Sequence, residues 1–109
     1  MTPFLRPVAL LACFALFSPV ATAGDAEAGR HKIYTCTGCH GIPGYKNVYP
    51  HYHVPKIAGQ NREYLIAALT EYQKGERKHP TMRAQAESFT AKDIDDIATF
   101  LAAIDGSQP

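Results

Sequence analysis

The sequence has almost no excess of charge: 11 basic residues stand against 10 acidic ones, a formal balance of +1 over 109 residues. Such a balance leaves no electrostatic footprint for nucleic acid or an anionic membrane surface. Long apolar runs are also missing. Val8 to Phe17 has ten residues, whereas a membrane span takes about 20. No stretch alternates as a strand does, and no segment repeats. These absences exclude a sheet protein and a solenoid, and the length allows one domain. Cysteine is scarce, with only Cys13, Cys36 and Cys39. Large aliphatic side chains are few beyond Ala23, too few for a self-sufficient helical bundle. A domain this small often needs a metal, a disulfide or a cofactor to fold.

What is present begins with a leader. Residues 1–23 read as a cleaved secretory signal peptide. Arg6 gives a positive start, the ten-residue apolar stretch follows, and Ala21-Thr22-Ala23 is a small-residue cleavage site. Leu10-Leu11-Ala12-Cys13 faintly resembles a lipoprotein processing site, but cleavage there leaves an unusually short leader followed by an apolar segment. Cleavage after Ala23 leaves 10 basic and 10 acidic residues, removes Cys13, and makes Met82 the only methionine.

The expected domain, residues 24–109, reads as all-α with three main helices and two long loops. Gly24 to Thr35 forms the first helix, with Asp25 as N-cap and Glu27 in the first turn. Gly29 inside it costs about 1 kcal/mol and points to close approach of another helix. Gly41 to Gln60, rich in proline and glycine, is a loop whose Tyr45, Tyr49 and Tyr52 suit the edge of a flat apolar group. Asn61 caps a second helix that ends at Lys74 before Gly75. Glu76 to Ser88 is predicted irregular. Thr90, with Asp93 three residues on, starts a third helix whose buried stripe is Ile94, Ile97, Leu101 and Ile104, with Phe100 beside it and Gly106 near its end.

Cys36-Thr37-Gly38-Cys39-His40 is the stretch with chemistry in it. C-x-x-C-H is the pattern of covalent c-type haem attachment. Two thiols at this spacing can each add to one vinyl group of a haem, and His40 then presents an imidazole nitrogen to the iron. Three rivals exist. A disulfide redox motif follows a strand in a βαβ pattern, and none is present. A zinc site needs four ligands, for which His51 and His53 would have to join the cysteines at an unusual spacing. A disulfide across two residues would staple almost nothing.

For the second axial position Met82 is the leading candidate, because a thioether suits haem iron and raises its potential. His79 competes with it, His51 and His53 more weakly, and an open site is a further alternative. The Pro55 carbonyl is a candidate acceptor for the other ring nitrogen of His40. Lys78 and Arg83 flank the Met82 segment and are candidates to pair with haem propionates.

Several segments together resemble a family, the small bacterial monohaem class I c-type cytochromes. They are Cys36 to Gly41, Pro55-Lys56-Ile57-Ala58-Gly59-Gln60 with the Tyr-Leu helix after it, Arg77-Lys78-His79-Pro80-Thr81-Met82, and the closing helix. The resemblance implies a cytochrome c-like fold in which the first and last helices cross near Gly29 and Phe100. It implies one haem c bound through Cys36 and Cys39, with His40 and Met82 as axial ligands and Pro55 as the partner of His40. The activity implied is one-electron transfer in the periplasm between redox partner proteins, with no catalytic residues and no membrane span. The loop from Gly41 to Val54 departs from that pattern in being longer and richer in tyrosine and histidine. The alternatives are a haem subunit of a dehydrogenase or oxidase complex, and a ligand-binding or peroxidatic haem protein with an open iron position.

Overall fold

The described residues form five helices, and the first and third pack against the last. The computed structural model describes residues 23–42 and 54–105. The predicted leader, except Ala23, lies outside these residues, as do Tyr45, Tyr49, His51, Tyr52, His53 and Gly106. In order the helices are α1 (Ala26–Lys32), α2 (Tyr34–His40), α3 (Arg62–Lys74), α4 (Pro80–Glu87) and α5 (Ala91–Ala103). Among the described residues there is no strand.

Two differences from the sequence expectation change where the motif sits. The first predicted helix is broken at Ile33, which closes α1 and opens α2. Ile33 is fully buried against Leu65, Ile97 and Leu101. Anchoring that side chain in the core turns the chain, so the motif lies on a helix of its own. The second difference is α4, in a segment expected to be irregular. Pro80 occupies its first turn, where the missing N–H is no loss and the fixed φ suits a helix. His79 is its N-cap, with Nδ1 accepting from the Met82 N–H at 3.3 Å.

α3 begins and ends where its caps predict and α5 begins after Thr90, but α5 stops at Ala103 with Ile104 already extended, short of the end expected near Gly106. Asn61 accepts from the Tyr64 N–H at 2.9 Å, and Gly75 closes α3 at φ +76°, a conformation that favours glycine. Thr90 and Asp93 form a reciprocal capping box on α5. Ile94, Ile97 and Leu101 are buried, and Ile104 is partly so. Contacts between elements run chiefly α1 to α5, α3 to α5 and α3 to α4. The buried apolar set is small: Ile33, Ile42, Leu65, Ala86, Ile94, Ile97, Ala98 and Leu101.

α1 crosses α5 at Gly29. A Cβ built there would lie 2.1 Å from the Asp96 carbonyl oxygen and 2.8 Å from Phe100 Cβ. Alanine in an open helix would stabilise by about 1 kcal/mol relative to glycine. Here it must push two backbones apart, and Gly29→Ala is expected to destabilise by about 2 kcal/mol. Thermal unfolding followed by circular dichroism checks the sign.

The same crossing holds a buried carboxylate. Asp96 Oδ1 accepts the Asp25 N–H at 2.7 Å, and Oδ2 accepts from Lys32 Nζ at 2.7 Å and Lys92 Nζ at 2.8 Å. Lys32 also pairs with Asp93 at 2.7 Å. The Lys32 ammonium, helped by Lys92, holds the Asp96 carboxyl well below the usual range, and Lys32 with the Thr90 cap lowers Asp93 to about 2. Both carboxylates hold Lys32 above its ordinary 10.5. Lowered carboxylate pKa values contribute stability above pH about 4, lost as pH falls through the folded values; the raised lysine contributes below about 10.5 and loses it above. Stability from this cluster is therefore level across neutral pH and falls below about pH 4. Asp96→Asn should lower the melting temperature at pH 7 and flatten that acid limb, as melting curves from pH 2 to 7 would show.

Candidate functional site

The helical turn of α2 sets the site. Cys36 and Cys39 are three residues apart on one helix, which puts both thiols on one face. The sequence pattern suggests a tight turn; the structure gives a helix, closed by Gly41 at φ +58°. Thr37 Oγ1 donates to the Tyr34 carbonyl at 2.9 Å and stiffens this turn. Burial pushes the Cys36 thiol above its ordinary pKa, against a hydrogen bond from Thr35 that lowers it.

His40 ends the same helix. Its Nδ1 lies 2.8 Å from the Pro55 carbonyl oxygen, fifteen residues on. An N–H at Nδ1 donating to that carbonyl leaves Nε2 as the nitrogen with a free lone pair, and it orients the ring. The segment carrying Pro55 is itself pinned. Gly59 N–H donates to the Leu101 carbonyl at 2.9 Å, and the Gln60 side chain reaches the Lys56 carbonyl at 3.0 Å.

These residues border one cavity of about 220 Å³ between α2, the 54–60 segment, α3 and α4. Its wall includes Cys36, Cys39, His40, Pro55 and Met82, and also His79. The remainder is mostly carbon: Val54, Ile57, Leu65, Ala68, Leu69, Phe89, Ile97 and Leu101, with Tyr64 and Tyr72. Gln73 holds the far wall in place, donating from Nε2 to the Ala86 and Phe89 carbonyls at 2.7 and 2.6 Å.

Met82 sits in the first turn of α4, half-buried, rather than in a loop. His79, its competitor, also borders the cavity, but its Nδ1 is engaged as the α4 cap. Its ring stands edge-on to Tyr72, with centroids 6.5 Å apart. The zinc alternative rests on His51 and His53, which lie outside the described residues. Lys78 is exposed, and Arg83 pairs with Glu87 at 2.7 Å along α4. Arg77, which the sequence places in the Arg77–Met82 segment without a role of its own, also borders the cavity.

A haem fits this wall on three counts. The apolar lining suits a hydrophobic ring, two thiols one helical turn apart suit its two vinyl groups, and a nitrogen and a thioether are at hand for its iron.

Comparison with known proteins adds a family match. The family described as cytochrome c matches residues 26–105. Cytochrome c4 of Stutzerimonas stutzeri is 32% identical, over 92% of this chain and 50% of that protein. Cytochrome c-554(548) of Halomonas halodenitrificans is 40% identical, over 72% of this chain and 94% of its own length. The crystal structure of reduced recombinant cytochrome c4 from Pseudomonas stutzeri superposes with a TM-score of 0.60 at 25% identity, covering 77% of this chain and 53% of that one. The chain thus spans about half the length of these cytochrome c4 relatives.

Proposed function

The chain belongs to the cytochrome c family, and from that premise we propose that it is a periplasmic one-electron carrier with a single haem c. The observation that carries this reading is the shared cavity: both motif thiols, a histidine with one nitrogen already engaged, and the Met82 thioether border the same apolar space. The single C-x-x-C-H motif in these residues supports one haem for this domain.

Cys36 and Cys39 would hold the ring through thioether bonds, and His40 Nε2 and the Met82 thioether would be the ligands of its iron. The Pro55 carbonyl, accepting from Nδ1, fixes the tautomer and makes the imidazole a stronger donor. When bound, the haem would supply a ferric–ferrous couple that gains or loses one electron, and the protein would tune its potential and access. The mostly apolar wall would limit water at the ring. No side chain is assigned a proton transfer, and the chain does no substrate chemistry of its own. Export through the leader matches the oxidising route that such a cofactor uses, and no helix among the described residues is long and apolar enough to cross a membrane. The near-neutral charge provides no strong steering field, so docking with redox partner proteins should depend only weakly on salt.

Carbon monoxide tests the closed iron site. The dithionite-reduced protein at neutral pH should show no prompt spectral change under carbon monoxide. A rapid, stoichiometric change would mean an open position, and the ligand-binding reading would replace this one.

A further inference from the structure

Arg77 occupies an unusual place. After Gly75 the chain folds back over the last turn of α3, and the N–H groups of Glu76 and Arg77 both donate to the Glu71 carbonyl, at 3.0 and 3.2 Å. This fixes the backbone of Arg77 beside the cavity. The guanidinium lies over the Tyr72 ring, 5.0 Å from its centroid, and Nη1 donates to the Tyr64 hydroxyl at 3.3 Å. Tyr64, Tyr72 and Arg77 all border the cavity.

Both of these partners are neutral. Among the described residues, Arg77 makes no contact ion pair with a carboxylate, the Glu71 charge acting on it only from farther off, whereas Arg62 and Arg83 are each paired. A half-buried cation against an apolar wall gains most from an anion that completes it, and the planar fork of arginine matches a carboxylate. Tyr64 accepts from Arg77 and keeps its own O–H to donate. Fork and hydroxyl together place donors on a wall that is mostly apolar, its other polar side chains besides His40 and Tyr72 being Thr35, Lys56, Gln60, His79, Thr81 and Gln85, of which Lys56 is exposed.

We infer that Arg77, oriented by Tyr72 and Tyr64, is the carboxylate receptor of this cavity and takes a propionate of the haem. This rests on the haem reading above. It assigns the role to neither Lys78, which is exposed, nor Arg83, which is committed to Glu87. The consequence is electrostatic. A compensated propionate stabilises ferric iron less than a bare one, so Arg77 holds the reduction potential up.

The test is redox titration of the haem-loaded wild type, Arg77→Gln, Arg77→Lys and Arg83→Gln. One uncompensated charge at an effective dielectric near 20 is worth about a tenfold change in equilibrium. Arg77→Gln should shift the ferric-to-ferrous ratio about tenfold towards ferric at fixed ambient potential, a fall of about 59 mV. Arg77→Lys should shift it much less, and Arg83→Gln not at all. A loaded Arg77→Gln protein with wild-type potential overturns the inference, even if its exchange with a partner protein is slowed; that result would point to a docking role. Where Arg77→Gln fails to take up haem, NMR of the wild type decides. The Arg77 guanidinium protons should exchange slowly and contact the propionate methylenes; solvent-averaged protons without such contacts overturn it. A wild-type chain without haem removes this inference and the carrier reading together, whereas a loaded chain with an insensitive potential removes only this one.

Discussion

Met82→Ala in the haem-loaded protein is expected to open the iron. The ferric form should lose the weak far-red band of thioether-to-iron charge transfer, and the ferrous form should bind carbon monoxide promptly, which the wild type does not. Its potential should fall by on the order of 0.1 V, a fraction of the ~0.8 V range that axial ligands span. The direction follows from softness: a thioether favours ferrous iron, and the water or hydroxide replacing it favours ferric. The change should be mostly electronic rather than a loss of fold, because α4 is held at its start by the His79 cap and at its end by Gln73. If the variant keeps the far-red band and excludes carbon monoxide, another group, with His79 first in line, holds the sixth position. His79→Ala would then produce the effects expected here.

The second large effect concerns the attachment itself. A Cys36→Ala, Cys39→Ala chain should carry no covalent haem and should lose its stable tertiary structure. The estimate comes from the cavity. An apolar void of about 220 Å³, at roughly 24 cal/mol per Å³, costs at most about 5 kcal/mol, less where water enters from the open side. Small domains have only about 5–15 kcal/mol in total. With eight buried apolar side chains among the described residues to close the remainder, the apoprotein lies at the edge of folding. Near-ultraviolet circular dichroism of the double variant should be close to featureless at 25 °C, with helical signal reduced and restored only in part by added free haem. A sharp, wild-type melting transition without haem would show that the helices close without it.

Much of this was legible in the sequence, for identifiable reasons. α3 and α5 each run thirteen residues with a capping side chain at the start. Their turn-by-turn spacing therefore outweighed local ambiguity. Gly29 was legible because an interior glycine in a helix has a cost that invites a packing cause, and the Asp96 carbonyl 2.1 Å from a would-be Cβ is that cause. α4 was not legible, because Pro80 read as an interruption when it stands at the N-terminus, and because eight residues with one fully buried side chain, Ala86, show little periodicity. The break at Ile33 was hidden for a related reason. Nothing local to Ile33 stops a helix; its burial against α3 and α5 does. The role of Arg77 was not legible beside Lys78 and Arg83, since three nearby cations look alike until the fold-back after Gly75 sets one of them against the cavity.

The most direct measurement is the intact mass of the exported protein under denaturing conditions, taken with its alkaline pyridine spectrum. The account predicts a chain beginning at Gly24 that carries one haem through acid and organic solvent, with the reduced pyridine band of a doubly thioether-linked porphyrin. A bare polypeptide, with Cys36 and Cys39 free or oxidised to each other, would contradict it.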